Sequence, residues 1–288
     1  MRHITGLPTG SEGKLLRYCC FEAAGAAKCK DGVGAVVSLL LALSTSTAAA
    51  ALCGKNPQAL GTERTITVDP GLLPRVGTSP YSQTLPLRDH EVVLTFDDGP
   101  SPSTTGKVLD ALAEECTTAI FFVVGERAAQ APALVLRAAK EGHAIGTHTE
   151  THAHLAALKA GDAQAEIRPG IAAAITALGP DRTSAPFFRA PYLETSPAVE
   201  EYLRARGLML WGIDVDPEDW RGDSPEDVIS RVLHGLERLQ KGIILMHDVQ
   251  PCTAEALPRL LTELRARDYK VVRVLPATQA ADNSKAMR

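Results

Sequence analysis

A chain of 288 residues, 45% hydrophobic and 22% charged, can bury a full core as one large α/β domain or two small ones, which excludes a disordered polypeptide. The formal charge is −4, and since the first fifty residues hold five Lys/Arg against three Asp/Glu, the remainder carries −6, a poor match for nucleic acid or an anionic membrane surface. Four of the six cysteines (Cys19, Cys20, Cys29, Cys53) fall in the N-terminal segment and no C-x-x-C occurs, so neither a disulfide framework nor a thiolate zinc site is indicated.

Lys28 and Lys30 precede an apolar run from Val33 to Leu43, then Ser44-Thr45-Ser46-Thr47 and an alanine-rich stretch ending near Ala51. The order basic, apolar, small reads as an export signal over residues 1–52, with a periplasmic or extracellular destination. A membrane anchor is the competing reading, because residues 32–54 are uncharged and long enough for a bilayer core of about 30 Å. The polar S-T-S-T interruption favours cleavage, and membrane association is expected only if the segment is retained. Residues 53–90 are rich in Pro and Gly, with one strand-like run at Thr65 to Val68, and read as an extended lead-in to a domain over residues 91–280.

From there the pattern is regular. Strand-like Val92 to Phe96 precedes a helix-like Thr104 to Glu115, and the apolar run Ala119 to Val124 suits a strand buried on both faces. A helix at Pro132 to Glu141 and a strand at His143 to Gly146 follow, then a helix within Ala163 to Leu178 and a strand at Phe187 to Arg189. The chain closes with a helix at Pro197 to Arg206, strand Leu208 to Ile213, helix Pro225 to Leu239, strand Ile243 to Met246, helix Ala254 to Arg267 and strand Lys270 to Val274. Seven strands alternating with helices predict an all-parallel sheet, open or closed into a barrel, with its site at the strands' C-terminal ends.

The polar residues obey that rule. Asp97 and Asp98 end the first of these strands, in V-V-L-T-F-D-D-G-P-S-P. His148 and His152 follow the third, Arg189 and Tyr192 the fourth, Asp216, Asp219 and Trp220 the fifth, His247 and Asp248 the sixth. D-D-G by itself is also ordinary turn chemistry, but five strand ends delivering ionisable groups to one face define a candidate active site.

His148 and His152 form H-x-x-x-H, a spacing that shares one face if the segment is helical. With Asp98 as oxygen ligand they make a two-His, one-carboxylate set suited to a divalent metal, Zn²⁺ foremost and Co²⁺ as an alternative. Glu150 lies inside the motif, but H-x-E-x-H is not the zinc-peptidase H-E-x-x-H. His143 and His154 read as bystanders. Asp97 is the available base, and Arg189 could orient it and keep it ionised, or form a structural salt bridge instead. His247 is the natural proton donor with Asp219 to hold its charge, unless His247-Asp248 merely caps a helix. Tyr192 and Trp220 offer aromatic faces to a sugar, whereas Trp211, within a strand, reads equally as core.

Together these residues resemble the polysaccharide deacetylase family, the NodB-homology carbohydrate esterases. T-F-D-D-G-P-S (Thr95 to Ser101), H-T-x-x-H (His148 to His152), R-A-P-Y (Arg189 to Tyr192), D-P-E-D-W (Asp216 to Trp220) and L-M-H (Leu245 to His247) occur in the family's order. The resemblance covers about residues 91–275 and implies a distorted (β/α) barrel of about seven parallel strands. It implies Asp97 as base, Asp98, His148 and His152 as metal ligands, the Tyr192 backbone N–H in an oxyanion hole, His247 as general acid tuned by Asp219, and Arg189 positioning Asp97. Leu193 stands where Gly often follows R-x-P-Y, and Thr147 where Asn often precedes the histidine motif, departures that touch groove shape. The implied activity is removal of N-acetyl groups from N-acetylglucosamine units of a chitooligosaccharide, peptidoglycan or exopolysaccharide by an exported, monomeric, metal-dependent hydrolase. The alternatives are O-acetyl ester hydrolysis, as on xylan, and a non-catalytic carbohydrate-binding relative.

Overall fold

The computed structural model describes residues 56–277, so the export signal read over residues 1–52 lies outside the described residues. Among these, nine strands and seven α-helices follow in the order β1 (Arg64–Val68), β2 (Arg75–Val76), β3 (Glu91–Asp97), α1 (Thr105–Glu114), β4 (Ala119–Val123), α2 (Gly125–Gln130), α3 (Pro132–Lys140) and β5 (Ala144–Thr147). Then come α4 (Ala160–Leu178), β6 (Phe187–Phe188), α5 (Pro197–Arg204), β7 (Met209–Trp211), α6 (Pro225–Leu239), β8 (Gly242–His247), α7 (Pro251–Ala266) and β9 (Lys270–Pro276). Helix starts follow local chemistry. Pro occupies the first turn of α3, α5, α6 and α7, where its missing N–H costs nothing, and Ser224 and Asp227 close a capping box on α6.

Every ladder between named strands is parallel. The strands β8, β3, β4, β5, β6 and β7 lie side by side in that order. The seam from β7 back to β8 is one isolated bridge, Val215 to Ile244, supported by Leu245 N–H donating to Val215 O at 2.9 Å. The barrel is therefore distorted and its last seam is not a continuous ladder. The seven expected strands correspond to β3–β9. The lead-in adds two more to the same sheet, β1 beside β9 and β2 beside β7. The sequence reading missed β2, which is two residues long, and α2, which is six residues with no apolar repeat.

Strand parity sorts the core. Val92, Leu94 and Phe96 pack with the helices, together with Phe121, Ile244 and Met246. Val93, Ile120, Phe122, Phe187, Trp211 and Ile243 form a second cluster that fills the barrel, so Trp211, only 1% exposed, is core. Thr95 and Asp97 share the parity of Val93 and so point into the barrel. In register, Asp97 lies beside His247 on β8 and Phe122 on β4. This pairing sets base and acid candidates at the same height on neighbouring strands.

Cys252 is a free, buried thiol. Cys116 is disulfide-bonded, a bond the cysteine spacing did not reveal, and the two do not pair with each other.

Candidate active site

A cavity of about 420 Å³ opens at the C-terminal ends of the strands and is lined by Asp97, Asp98, His148, His152, Tyr192 and His247, among others. Trp220 and Leu193 also line it, whereas Arg189 and Asp219 lie behind it, both fully buried.

Three ligand atoms, one each from Asp98, His148 and His152, lie within 4.8 Å of one another. Asp98 Oδ1 is 3.4 Å from His148 Nε2 and 3.1 Å from His152 Nε2. His148 Nδ1 lies 2.7 Å from the Arg189 carbonyl; a carbonyl only accepts, so the ring proton sits on Nδ1 and the Nε2 lone pair faces the cavity, as a metal-binding imidazole requires. Asp98 Oδ1 is buried without a hydrogen-bond partner. A buried anionic oxygen opposed by a ring lone pair fits a divalent cation.

The histidine motif is not helical, contrary to the shared-face expectation. His148 to His152 form a loop after β5, and Thr149 and His152 both have φ of 64°. The loop is pressed against α4 at Gly170, where a Cβ would stand 2.4 Å from Thr149 O. The rings converge, with centroids 5.0 Å apart, because tertiary packing shapes the loop and not because of helical periodicity.

Asp97, 2% exposed, accepts a hydrogen bond at Oδ1 from Arg189 Nη1 at 2.7 Å. Its Oδ2 is 4.0 Å from His148 Nε2, so one oxygen is held from below and the other faces the metal cluster. Arg189 also donates to Thr95 Oγ1 (2.8 Å) and the Gly212 carbonyl (3.0 Å) and stacks over Phe122 at 4.3 Å. The structure thus joins both readings of this arginine: it orients Asp97 and is itself a buried salt bridge. Deleting one partner of such a pair strands a charge in the core, at a cost of about 3–5 kcal/mol.

His247 Nδ1 is 2.6 Å from Asp219 Oδ1, and its backbone N–H donates to Asp219 Oδ2 at 2.7 Å. The Thr253 hydroxyl also donates to Asp219 Oδ2, fixing the carboxylate from α7. Burial opposes a charge on His247, but the Asp219 carboxylate, with Asp97 and Asp98 beyond it, pushes its pKa up to about 9. His247 is therefore protonated near neutrality with its Nε2 end free for the cavity.

Two supports escaped the sequence reading. His154, read as a bystander, lies 2.6 Å from Glu194 and packs edge-on to Tyr192, which also makes an edge contact with His152. Tyr192 thus contacts two imidazoles although 61% of it is exposed. Asp248 does not cap a helix with His247: fully buried, it accepts from the Thr105 hydroxyl and lies against Gly99, where a Cβ would stand 2.1 Å from its Oδ2. The Gly of D-D-G is therefore demanded by a side chain on β8's far end, a contact no local pattern announces.

Residues 85–211 match the polysaccharide deacetylase family. The chain is 34% identical over 217 residues to a chitooligosaccharide deacetylase of Sinorhizobium fredii, covering 71% of this chain and 94% of that protein. It is 32% identical over 203 residues to the peptidoglycan-N-acetylmuramic acid deacetylase PdaC of Bacillus subtilis, covering 68% of this chain and 40% of the relative. Among solved structures, the Bdellovibrio bacteriovorus peptidoglycan deacetylase Bd3279 superposes with a TM-score of 0.68 at 33% identity, covering 76% of this chain and 60% of that one. The chain belongs to the polysaccharide deacetylase family. It spans about two fifths of the length of the peptidoglycan deacetylases it matches from B. subtilis and Listeria monocytogenes.

Proposed function

We propose that the chain is an exported, metal-dependent hydrolase that removes N-acetyl groups from N-acetylglucosamine units of an oligo- or polysaccharide. The observation that carries this reading is the placement of Asp97 and His247 in register on adjacent strands, lining the same cavity as the Asp98, His148 and His152 cluster. The substrate class rests on the relatives, named as peptidoglycan and chitooligosaccharide deacetylases. Export rests on the basic, apolar and small residues of the first 52 positions.

Asp98, His148 and His152 would hold the ion, Zn²⁺ by the character of the donors, which when bound supplies Lewis-acid polarisation of the acetamide carbonyl and a more acidic water. Asp97 takes the proton from the attacking water through the oxygen that Arg189 leaves free. The Tyr192 backbone N–H donates to the oxyanion as the carbonyl carbon becomes tetrahedral. His247, protonated and held by Asp219, delivers its proton to the departing amine as the C–N bond breaks, yielding acetate and a free amino sugar. Tyr192 and Trp220, both exposed at the rim, offer faces for the sugar rings.

Acetate release from chitin oligomers, peptidoglycan and acetylated xylan, with zinc or cobalt supplied, tests the reading. Release from an N-acetylated glycan is expected. Release from xylan alone would move the activity to O-acetyl esters, and sugar binding without any release would make the chain a binding relative.

A further inference from the structure

A second cavity lies at the other end of β5, where the strand begins and not where it delivers His148. Its volume is about 260 Å³, and it is lined by His143, Leu178, Arg182, Thr183 and Arg273, among others. Two nitrogens at this place lack partners. Arg273 Nε and His143 Nε2 are both buried and neither makes a hydrogen bond.

The His143 proton can be located. Its Nδ1 accepts from the Ala119 N–H at 3.1 Å, so in the neutral ring the proton is on Nε2, and Nε2 is a donor. Burial, with Arg273 and Arg137 nearby, lowers the pKa of this ring to about 3, so it stays a neutral donor at working pH. Burial pushes the Arg273 guanidinium down from its ordinary value, yet an arginine keeps its charge at working pH.

No carboxylate answers that charge among the described residues. Arg273 takes part in no salt bridge. The nearest acid on the α3–β5 turn, Glu141, gives Oε1 to Arg137 at 2.7 Å, and its Oε2 is 4.0 Å from His143 Nε2, too far for a hydrogen bond. Asp181 and Arg182 sit exposed on the rim, and Arg182 donates to the Ala139 carbonyl at 3.4 Å. A partly buried guanidinium without a counter-charge is a costly arrangement. The fold retains it beside a second inward donor and an open space several times the roughly 30 Å³ share of one water.

We propose that this cavity is a binding site for a small oxyanion, held between the Arg273 guanidinium and the His143 Nε2–H. The planar fork of Arg suits carboxylate and phosphate oxygens, and the imidazole adds one directed donor. An anion here would tie β9 to the start of β5, two strands that share no ladder. The site stands apart from the catalytic cavity, so the inference does not depend on the proposed reaction.

The test uses the full, metal-loaded chain at fixed pH and ionic strength, with chloride replaced stepwise by inorganic phosphate or by acetate. Melting temperature is recorded for wild type and for Arg273→Met. In chloride alone Arg273→Met should melt at or above wild type, because a partly buried charge with no counter-charge has been removed. As phosphate or acetate rises, wild type should gain stability according to its affinity while Arg273→Met gains little, its apparent affinity falling about tenfold or more. A response confined to phosphate would assign a tetrahedral anion, and one confined to acetate a carboxylate. Anion binding at the catalytic metal would shift both proteins alike, so parallel shifts, or none up to about 100 mM anion, overturn the proposal. Movement of the His143 Nε2–H resonance is the local readout. Saturable movement in wild type supports the site even if Arg273→Met fails to fold, and a resonance that stays fixed refutes it.

Discussion

Asp219→Asn isolates what the buried carboxylate does for His247. The substitution keeps the shape but removes the charge that, against burial, raises the histidine to about 9. With that charge gone, burial opposes the charged ring and only Asp97 and Asp98 still favour it, so the ring should fall back toward its ordinary value near about 6.5. At pH 8 the protonated fraction would drop from about nine tenths to about three hundredths, a loss near thirtyfold, while at pH 6 most rings stay charged in both proteins. The prediction is a kcat–pH profile whose alkaline limb moves toward acid by about two units or more. The same shift has a stability signature. Since the folded value lies above the unfolded one, the stabilisation is fully present below about pH 6.5 and lost as pH rises through about 9, worth about 3 kcal/mol at most. Urea unfolding of the chelated protein should therefore show wild type losing more stability than Asp219→Asn between pH 6 and pH 9.5. A variant whose rate falls by one factor at every pH, with the alkaline limb unmoved, would refute the idea that Asp219 sets the acid's pKa.

Asp97→Asn retains an oxygen for Arg189 but loses the base, so acetate release should fall about 10²–10⁴-fold with metal content unchanged by elemental analysis; full activity would remove Asp97 from the role. His148→Ala combined with His152→Ala should lose bound zinc and activity together, measured on the same preparation. Gly99→Ala drives a methyl to 2.1 Å from Asp248 and should cost about 1–3 kcal/mol by thermal or urea unfolding, with Asp248→Ala in the same chain recovering part of it.

Much of the site was legible because strand ends obey a simple rule. A parallel α/β sheet presents its C-terminal ends to one side, so the order Asp97, His148, Arg189, Asp219, His247 along the chain already assembled a face. In the structure Val93, Thr95 and Asp97 share one side of β3, which sends Asp97 inward to meet Arg189. The helix starts at Pro197 and Pro225 were equally local. The helical reading of His148 to His152 failed because period arguments assume regular backbone, and here Thr149 and His152 both adopt positive φ in a loop whose Thr149 packs against Gly170.

The sequence by itself determined the alternation of strands and helices, the family, and which residue types stand at the sheet's functional end, since these depend on hydrophobic period and on residues a few positions apart. Only the tertiary structure decided that Gly99 yields space to Asp248, that His154 and Glu194 brace Tyr192, that Thr253 fixes the carboxylate under His247, and that Arg273 and His143 share a cavity. Those contacts join residues tens to more than a hundred positions apart, and their geometry follows from strand register and helix packing, which no local pattern encodes.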